Sequence, residues 1–394
     1  MRIALVHDCL WEYGGAERVV EAMHEIWPDA PVYTSFVDKK GLGRHWERFK
    51  NWDIRTSWVE HVWIIRKLIS PLRFLIPLIW KSFDFKGFDV VISSSGWFIS
   101  RGVHVKKPTV HISYIHHPPR NLYGYATGSD LEKYWIVRAY AHIINFFLRH
   151  YDFEAAQNVD YIIANSKETA RRVWKFYRRK ATVIYPPVEI GIRNTKEHVT
   201  RKTENLSLVT CHLSPKSYYL SVGRLSWAKR VDLIIQACNQ LKLPLVVVGT
   251  GKEEKELKQI AGPTVEFLGS VSDEELTLLY TNAKALIFSA LDEDFGMVPV
   301  EAMAAGTPVI GLAQGGVKET VIDARSASSG QGPTGVLFEK ADEKNLIHAI
   351  KRFKQLSQYH HWSDDCKKWA QRFNKQRFQK SLKRFISHVA AGSG

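Results

Sequence analysis

Short apolar runs, each followed by a small or polar turn and a helical period, recur along this chain, and the pattern starts again near residue 217. In the first half, residues 3–6, 90–93, 110–115, 161–164 and 182–185 read as short buried strands. Residues 16–26 read as a helix with Val19, Val20, Met23 and Ile26 on its apolar face. Asn165-Ser166-Lys167-Glu168 has the composition of a helix start. In the second half, residues 219–222, 245–248, 265–268, 285–288 and 309–310 continue as strands, with a helix over 231–241 and glycine turns at Gly223 and Gly249-Thr250-Gly251. Repeated strand–helix units imply a parallel sheet covered by helices on both faces. The expected fold is therefore α/β, with two doubly wound, Rossmann-like domains facing across a cleft. Ligands of such sheets bind at the carboxyl ends of the strands.

A chain of 394 residues suits two domains of ordinary size, and 45% hydrophobic content is enough for two cores. The stiff Tyr185-Pro186-Pro187-Val188 break closes a first domain over 1–190. Residues 191–216 are charged and aperiodic, a linker or variable insertion. The second domain covers 217–370, and 371–394 reads as a C-terminal helix able to cross back to the first. The Ser/Gly-rich stretch 326–335 is expected to be a mobile loop. Four scattered cysteines with no CxxC pair argue against a zinc site or disulfide framework and fit a reducing compartment. The first residues read as a strand meeting a turn rather than a signal peptide.

Net charge is +15, which calls for an anionic partner: nucleic acid, a membrane surface or a phosphorylated ligand. The chain carries no recognised nucleic-acid-binding module. Residues 41–81 hold eight Lys/Arg against three Asp/Glu, interleaved with Trp46, Trp52, Trp58, Trp63 and Trp80. Residues 62–80 are apolar but broken by Arg66, Lys67, Arg73, Pro71 and Pro77, too charged for a membrane span. Aromatics and cations beside an apolar stripe predict a surface resting on lipid headgroups. A core helix with snorkelling cations is the alternative. The second basic run, from Arg171-Arg172 to Arg178-Arg179-Lys180, reads as the solvated face of a helix.

Three segments carry candidate chemistry. Gly14-Gly15, between the first strand and helix, lets backbone N–H groups approach a phosphate. Arg224 and Lys229 flank the matching turn of the second half and could converge on a diphosphate, Arg as a bidentate fork and Lys as a mobile charge. Glu293-Asp-Phe-Gly-Met-Val-Pro-Val-Glu301 sets two carboxylates eight positions apart. A helix beginning near Pro299 would hold Glu301 in its first turn, where unpaired N–H groups favour an anion. His116 and His117 end a strand of the first half and would face the cleft.

Gly14-Gly15, His116-x-Pro118-x-Arg120, the Arg224/Lys229 pair and the Glu293-x7-Glu301 (EX7E) motif together resemble the retaining GT-B glycosyltransferases of family 4. Ile163-Ala-Asn-Ser166, Val183-Ile-Tyr-Pro-Pro187 and the Glu293 to Val321 stretch resemble, more narrowly, bacterial mannosyltransferases of lipopolysaccharide and capsule assembly. The resemblance implies an acceptor-binding first domain and a nucleotide-sugar-binding second domain, with GDP-mannose as donor and a lipid-linked glycan as acceptor. It further implies that Arg224 and Lys229 hold the diphosphate, with Gly14 and Gly15 closing over it from the other domain, and that Glu301 binds the ribose. Glu293 and the backbone of Phe295, Gly296, Met297 and Val298 would hold the donor sugar. His116 would be the active-site histidine, with His117 its neighbour and rival. Substitution would be front-face, with retention, needing neither metal nor cofactor, at the inner face of the cytoplasmic membrane and without nucleic acid. Gly96-Trp97 departs from relatives that have a histidine there. A UDP-sugar donor and a non-catalytic basic binding protein are the alternatives. Asp292-Glu-Asp294 spells DxD, a metal motif of another glycosyltransferase fold, but Glu293 already belongs to the longer motif.

Overall fold

The computed structural model describes residues 1–126, 135–189, 214–327 and 330–391. The chain divides into two compact units. One contains Met1–Tyr125, the described residues up to Pro187, and the C-terminal helix from Lys375; the other runs from Val188 to Asn374 and also takes in Ala126. Most of the expected linker lies outside the described residues.

The first unit is built on a seven-stranded sheet of order β3-β2-β1-β4-β5-β6-β7. Its strands are β1 (Ile3–His7), β2 (Val32–Thr34), β3 (Ile54–Thr56), β4 (Val90–Ser95), β5 (Val110–Ile115), β6 (Tyr161–Ala164) and β7 (Thr182–Val183). Every pairing is parallel. β1, β4 and β5 are buried at every residue, as strands covered on both faces must be. Val19, Val20 and Met23 of the Gly15–His24 helix pack on one face of the sheet, beside Leu5, Ile92 and Ile112.

The C-terminal helix Lys375–Ala391 covers that same face, placing Phe378, Leu382, Ile386 and Val389 in the first unit's core. The ring of Phe378 meets Tyr114 of β5 edge-on at 5.9 Å. On the other face lies the long helix Trp135–Asn158, anchored through Asp152, which pairs with the fully buried Arg101. Tyr123 and Tyr177 donate to the same carboxylate at 2.8 and 2.7 Å. A buried charge pair of this kind requires such added hydrogen bonds.

The second unit repeats the plan with six strands, β8 (Tyr219–Val222), β9 (Leu245–Val248), β10 (Val265–Gly269), β11 (Ala285–Phe288), β12 (Val309–Leu312) and β13 (Gly335–Phe338). Their order is β10-β9-β8-β11-β12-β13, again parallel throughout. In each unit the strand order reverses between two neighbours, β1 and β4 in the first and β8 and β11 in the second. At that reversal the loops diverge to opposite faces and leave a crevice beyond the carboxyl ends.

The basic run at 171–180 divides: Arg171, Lys175, Arg178 and Lys180 are exposed, as expected of a solvated face, and Arg172 and Arg179 depart from it. It starts on the helix Lys167–Tyr177, but Arg172 is buried, bonded to Glu168 at 2.8 Å and stacked 4.1 Å over Tyr125. Arg179 donates to the carbonyls of Ala156, Gln157, Val159 and Asp160. These two cations tie helix to loop, while the other four remain on the solvated face. The 41–81 tryptophans also divide: Trp80 is fully buried and donates to the Phe98 carbonyl at 2.6 Å, whereas Trp63 is 65% exposed.

Candidate functional site

In the second unit the reversal between β8 and β11 sets two loops side by side. After β8 the chain passes Gly223 and Arg224, which is exposed, and enters a tight turn Trp227–Lys229 before the helix Val231–Gln240. Ser289, just beyond β11, donates to the carbonyls of Lys229 and Arg230 at 3.0 and 2.8 Å and so locks that turn. Lys229 Nζ then reaches Glu293 Oε2 at 2.7 Å and lies 5.5 Å over the Phe288 ring. Both side chains keep part of their surface open, 29% and 17%. The pair needs close loop packing: a Cβ at Gly249 would strike the Gly223 carbonyl, and the φ of +129° there is one that glycine adopts readily.

Glu293 is held from below by a second glycine pair. Gly316 N–H donates to the Glu293 carbonyl at 2.8 Å, and a Cβ on Gly315 or Gly316 would collide with the backbone of Glu293 to Phe295. The chain then turns at Gly296 into the helix Met297–Ala304. The expected start near Pro299 is therefore corrected by two residues. Glu301 lies one full turn inside the helix rather than in its first turn, and Tyr280 Oη donates to it at 3.1 Å. Starting at Met297 sets the first-turn N–H groups, which have no intrahelical acceptor, within a few residues of Glu293. Of the expected donor-site residues, Lys229, Glu293 and the Phe295–Val298 backbone thus converge, Arg224 sits on the adjoining loop, and Glu301 stands further along the helix.

The first unit's reversal carries a chain of hydrogen bonds. His7 ends β1 and is in register with Ser94 of β4. Ser94 Oγ lies 3.1 Å from His7 Nδ1 and 2.8 Å from His116 Nε2. His7 Nε2 in turn lies 3.4 Å from Glu17 Oε1, while Glu17 Oε2 accepts the Gly14 N–H at 2.9 Å. The expected phosphate turn and the expected histidine are therefore joined by Glu17, His7 and Ser94, all buried. Burial, with His7 and His117 nearby, pushes the His116 imidazole well below its ordinary 6.5, so it is neutral at pH 7.

One hydroxyl proton links the two histidine tautomers. With His7 neutral, its Nε2–H points at the Glu17 carboxylate, its Nδ1 accepts from Ser94, and His116 must donate Nε2–H to Ser94, leaving His116 Nδ1 as an acceptor. With His7 protonated, it donates from both nitrogens, Ser94 donates to His116 Nε2, and the His116 proton moves to Nδ1. His117 takes no part in this chain; its Nδ1 lies 3.0 Å from the Pro118 carbonyl.

Sequence reasoning missed four of these groups, His7, Glu17, Ser94 and Asp8. Asp8 fixes the loop after β4 by accepting from the N–H groups of Gly96, Phe98 and Ser100 at 2.8–3.1 Å. Within that loop Trp97 stacks on Trp11, ring centroids 5.4 Å apart. A serine run at the end of an otherwise apolar strand was the available signal, because buried hydroxyls need partners. The Gly315-Gly316 pair beyond β12 occupies the place that Gly14-Gly15 has beyond β1 and could have been read the same way.

Comparison with known proteins places both halves. Residues 13–191 match the family described as Glycosyltransferase Family 4, and residues 212–373 match Glycosyl transferases group 1. The chain is 24% identical to the alpha-1,3/1,6-mannosyltransferase ALG2 of Candida glabrata, over 90% of this chain and 85% of that one. It is 25% identical to the O-antigen chain mannosyltransferase RfbU of Salmonella typhimurium, over 58% of this chain and 60% of that one. Among solved structures, Anabaena Alr3699/HepE in complex with UDP-glucose superposes with a TM-score of 0.69 at 18% identity, over 98% of this chain and 100% of that one.

Proposed function

Because this chain is a GT-B glycosyltransferase similar to family 4, we propose that it moves mannose from GDP-mannose to a hydroxyl of a lipid-linked oligosaccharide, with retention, in cell-surface polysaccharide synthesis. The observation that carries the reading is the Lys229–Glu293 pair beside the amino end of the Met297–Ala304 helix. A cation, a carboxylate and the first-turn N–H groups of a helix at a strand reversal suit a diphosphate and sugar hydroxyls together. The choice of mannose is supported by the two similar mannosyltransferases, ALG2 and RfbU.

In this mechanism Lys229 and Arg224 neutralise the diphosphate. A lysine ammonium has three N–H donors, so Lys229 can keep Glu293 and still reach phosphate oxygens. Charge grows on the diphosphate as the anomeric C–O bond breaks, so fixed cations favour the transition state over the bound donor. The acceptor oxygen bonds to the same face of the anomeric carbon, and its proton passes to a diphosphate oxygen. No protein base is needed. Glu293 and the Phe295–Val298 N–H groups hold the sugar hydroxyls, Glu301 the ribose, and Gly14-Gly15 contribute to the diphosphate. His116, neutral, serves as a hydrogen-bonding group beside the reacting sugar. No metal ion enters the reaction, so chelation should leave the rate unchanged.

A lipid-linked acceptor places the work at the inner face of the cytoplasmic membrane, with the protein peripherally bound. None of the described helices is long and apolar enough to cross a bilayer. A UDP-sugar donor is the second reading, favoured by the complex of the similar HepE with UDP-glucose. Thermal unfolding with GDP, GDP-mannose, UDP and UDP-glucose decides between them. A ligand at 100 times its Kd adds about 2.7 kcal/mol to the folded state. A rise with GDP-mannose alone supports the mannosyl reading, a rise with UDP-glucose replaces the donor, and no rise with any of them overturns the assignment.

A further inference from the structure

The helix Trp135–Asn158 is amphipathic in the sense opposite to that of a water-facing helix. Its buried residues Ala141, Asn145, Leu148, Asp152, Ala155 and Ala156 form the inner stripe. The outer stripe should then be polar. Instead it carries Ile136, Ile143 and Phe147, at i, i+7 and i+11, which are 63, 58 and 65% exposed, flanked by Trp135 and Phe146. The helix packs on the turn Arg73–Leu75, and Tyr140 Oη donates to the Pro71 carbonyl. That contact sets the helix against the turn bearing Phe74, and Trp63, Ile64, Leu68 and Leu78 of the same segment are exposed as well. Scattered apolar residues on a surface mean little, but a stripe continued by a second segment marks an interaction site.

Charge selects the partner. Neither 62–81 nor 135–151 contains an Asp or Glu, whereas Lys67, Lys81 and Arg138 are exposed among the apolar residues; further along the helix Asp152 is buried and Glu154 is exposed and paired with His150 at 3.1 Å. A protein partner would be expected to bring a patterned, mixed-charge surface. An apolar face flanked by cations, its one exposed carboxylate held by His150 toward the far end of the helix, fits acyl chains beneath anionic headgroups. We propose that the outer face of Trp135–Asn158, with the 63–78 segment, seats this protein on an anionic bilayer, the helix lying in the plane of the headgroups. The inference deepens the membrane part of the proposed function. It stands apart from the donor chemistry.

The test is sedimentation of the full chain with phosphatidylglycerol vesicles and with phosphatidylcholine vesicles, without nucleotide. The expected result is binding to the anionic vesicles, weaker binding to the neutral ones, and a drop of at least about tenfold for the Ile143→Asn/Phe147→Asn double variant. Both positions are surface-exposed, so an unchanged unfolding temperature and nucleotide response in the variant show that fold and donor site are intact. Failure of the wild type to bind phosphatidylglycerol vesicles overturns the proposal, as does equal binding by the variant. A dimer in solution that the double variant dissociates, without change in vesicle binding, assigns the face to a second copy of the chain instead. None of these outcomes depends on which sugar nucleotide the enzyme uses.

Discussion

Lys229 Nζ and Glu293 Oε2 meet at 2.7 Å across the reversal between β8 and β11. Each residue is the other's counter-charge, so removing either changes the field felt by a bound diphosphate. Glu293→Ala should abolish transfer yet leave GDP binding intact or slightly tighter, because Lys229 is released wholly to the phosphates. Lys229→Ala should weaken GDP binding and turnover together. Calorimetric titration beside a transfer assay separates the two, and near-normal turnover in either variant would refute the site.

Ser94 joins His7 to His116, and its removal uncouples their tautomers. Ser94→Ala should lower kcat by roughly ten- to a hundredfold, about 1.4–2.7 kcal/mol, with donor KM nearly unchanged. Ser94→Thr, which keeps the hydroxyl, should recover most of the rate. Nitrogen-15 NMR of the histidines should show the His116 proton on Nε2 when His7 is neutral and on Nδ1 when His7 is protonated. Loss of that correlation in Ser94→Ala would confirm the link, and its survival would disprove it.

Two buried histidines predict acid sensitivity. Burial pushes His111 from 6.5 down to about 4 and His116 well below its ordinary value. Below about pH 6.5 the unfolded chain takes up protons that the folded one refuses, so stability falls as pH falls. Each histidine contributes at most about 1.4 kcal/mol per pH unit, and the His111 share stops growing near pH 4, where the folded form also protonates. Urea midpoints from pH 7 to 4.5 should fall, and His111→Asn should flatten the slope by about one proton.

Gly315 has φ +54° and backs directly on the Glu293 carbonyl. Gly315→Ala should cost about 2 kcal/mol or more through strain and collision. It should also displace Glu293, so donor turnover should fall further than stability alone explains. A variant with lowered unfolding temperature and unchanged kcat would show that the glycine supports only the fold.

Leu382 is fully buried in the first unit although it lies near the end of the chain. Leu382→Ala should lower stability by about 2–5 kcal/mol. Domain-resolved hydrogen exchange should place the loss in residues of β1 and β5 rather than in β8–β13.

The parallel architecture was legible because its central strands are almost wholly buried; β1, β5, β8, β9, β11 and the first half of β4 are visible as largely apolar runs. β2 and β3 have three residues each and escape any periodicity argument. The Glu293 to Glu301 segment announced a site, but its helix boundary was misplaced because Pro299 is tolerated within a first turn as well as at its start. The His7–Ser94–His116 chain was invisible because strand register, which no local pattern records, brings residues 87 and 22 positions apart together. The apolar helix 135–158 was passed over for a related reason. Which stripe of an apolar helix faces outward depends on the buried Asp152–Arg101 anchor, and sequence alone gives both stripes similar weight.

The helix Lys375–Ala391 has a consequence for how the protein is made. A ribosome extrudes the amino-terminal half first, yet the side chains that complete its core leave the tunnel only after the whole second unit has been synthesised. Until then the sheet face bearing Leu5, Ile92, Ile112 and Tyr114 lacks Phe378, Leu382 and Ile386. The nascent chain therefore presents an apolar surface throughout synthesis of the second unit, the condition under which chaperones are recruited. A stop codon just before residue 378 would cripple the domain translated first.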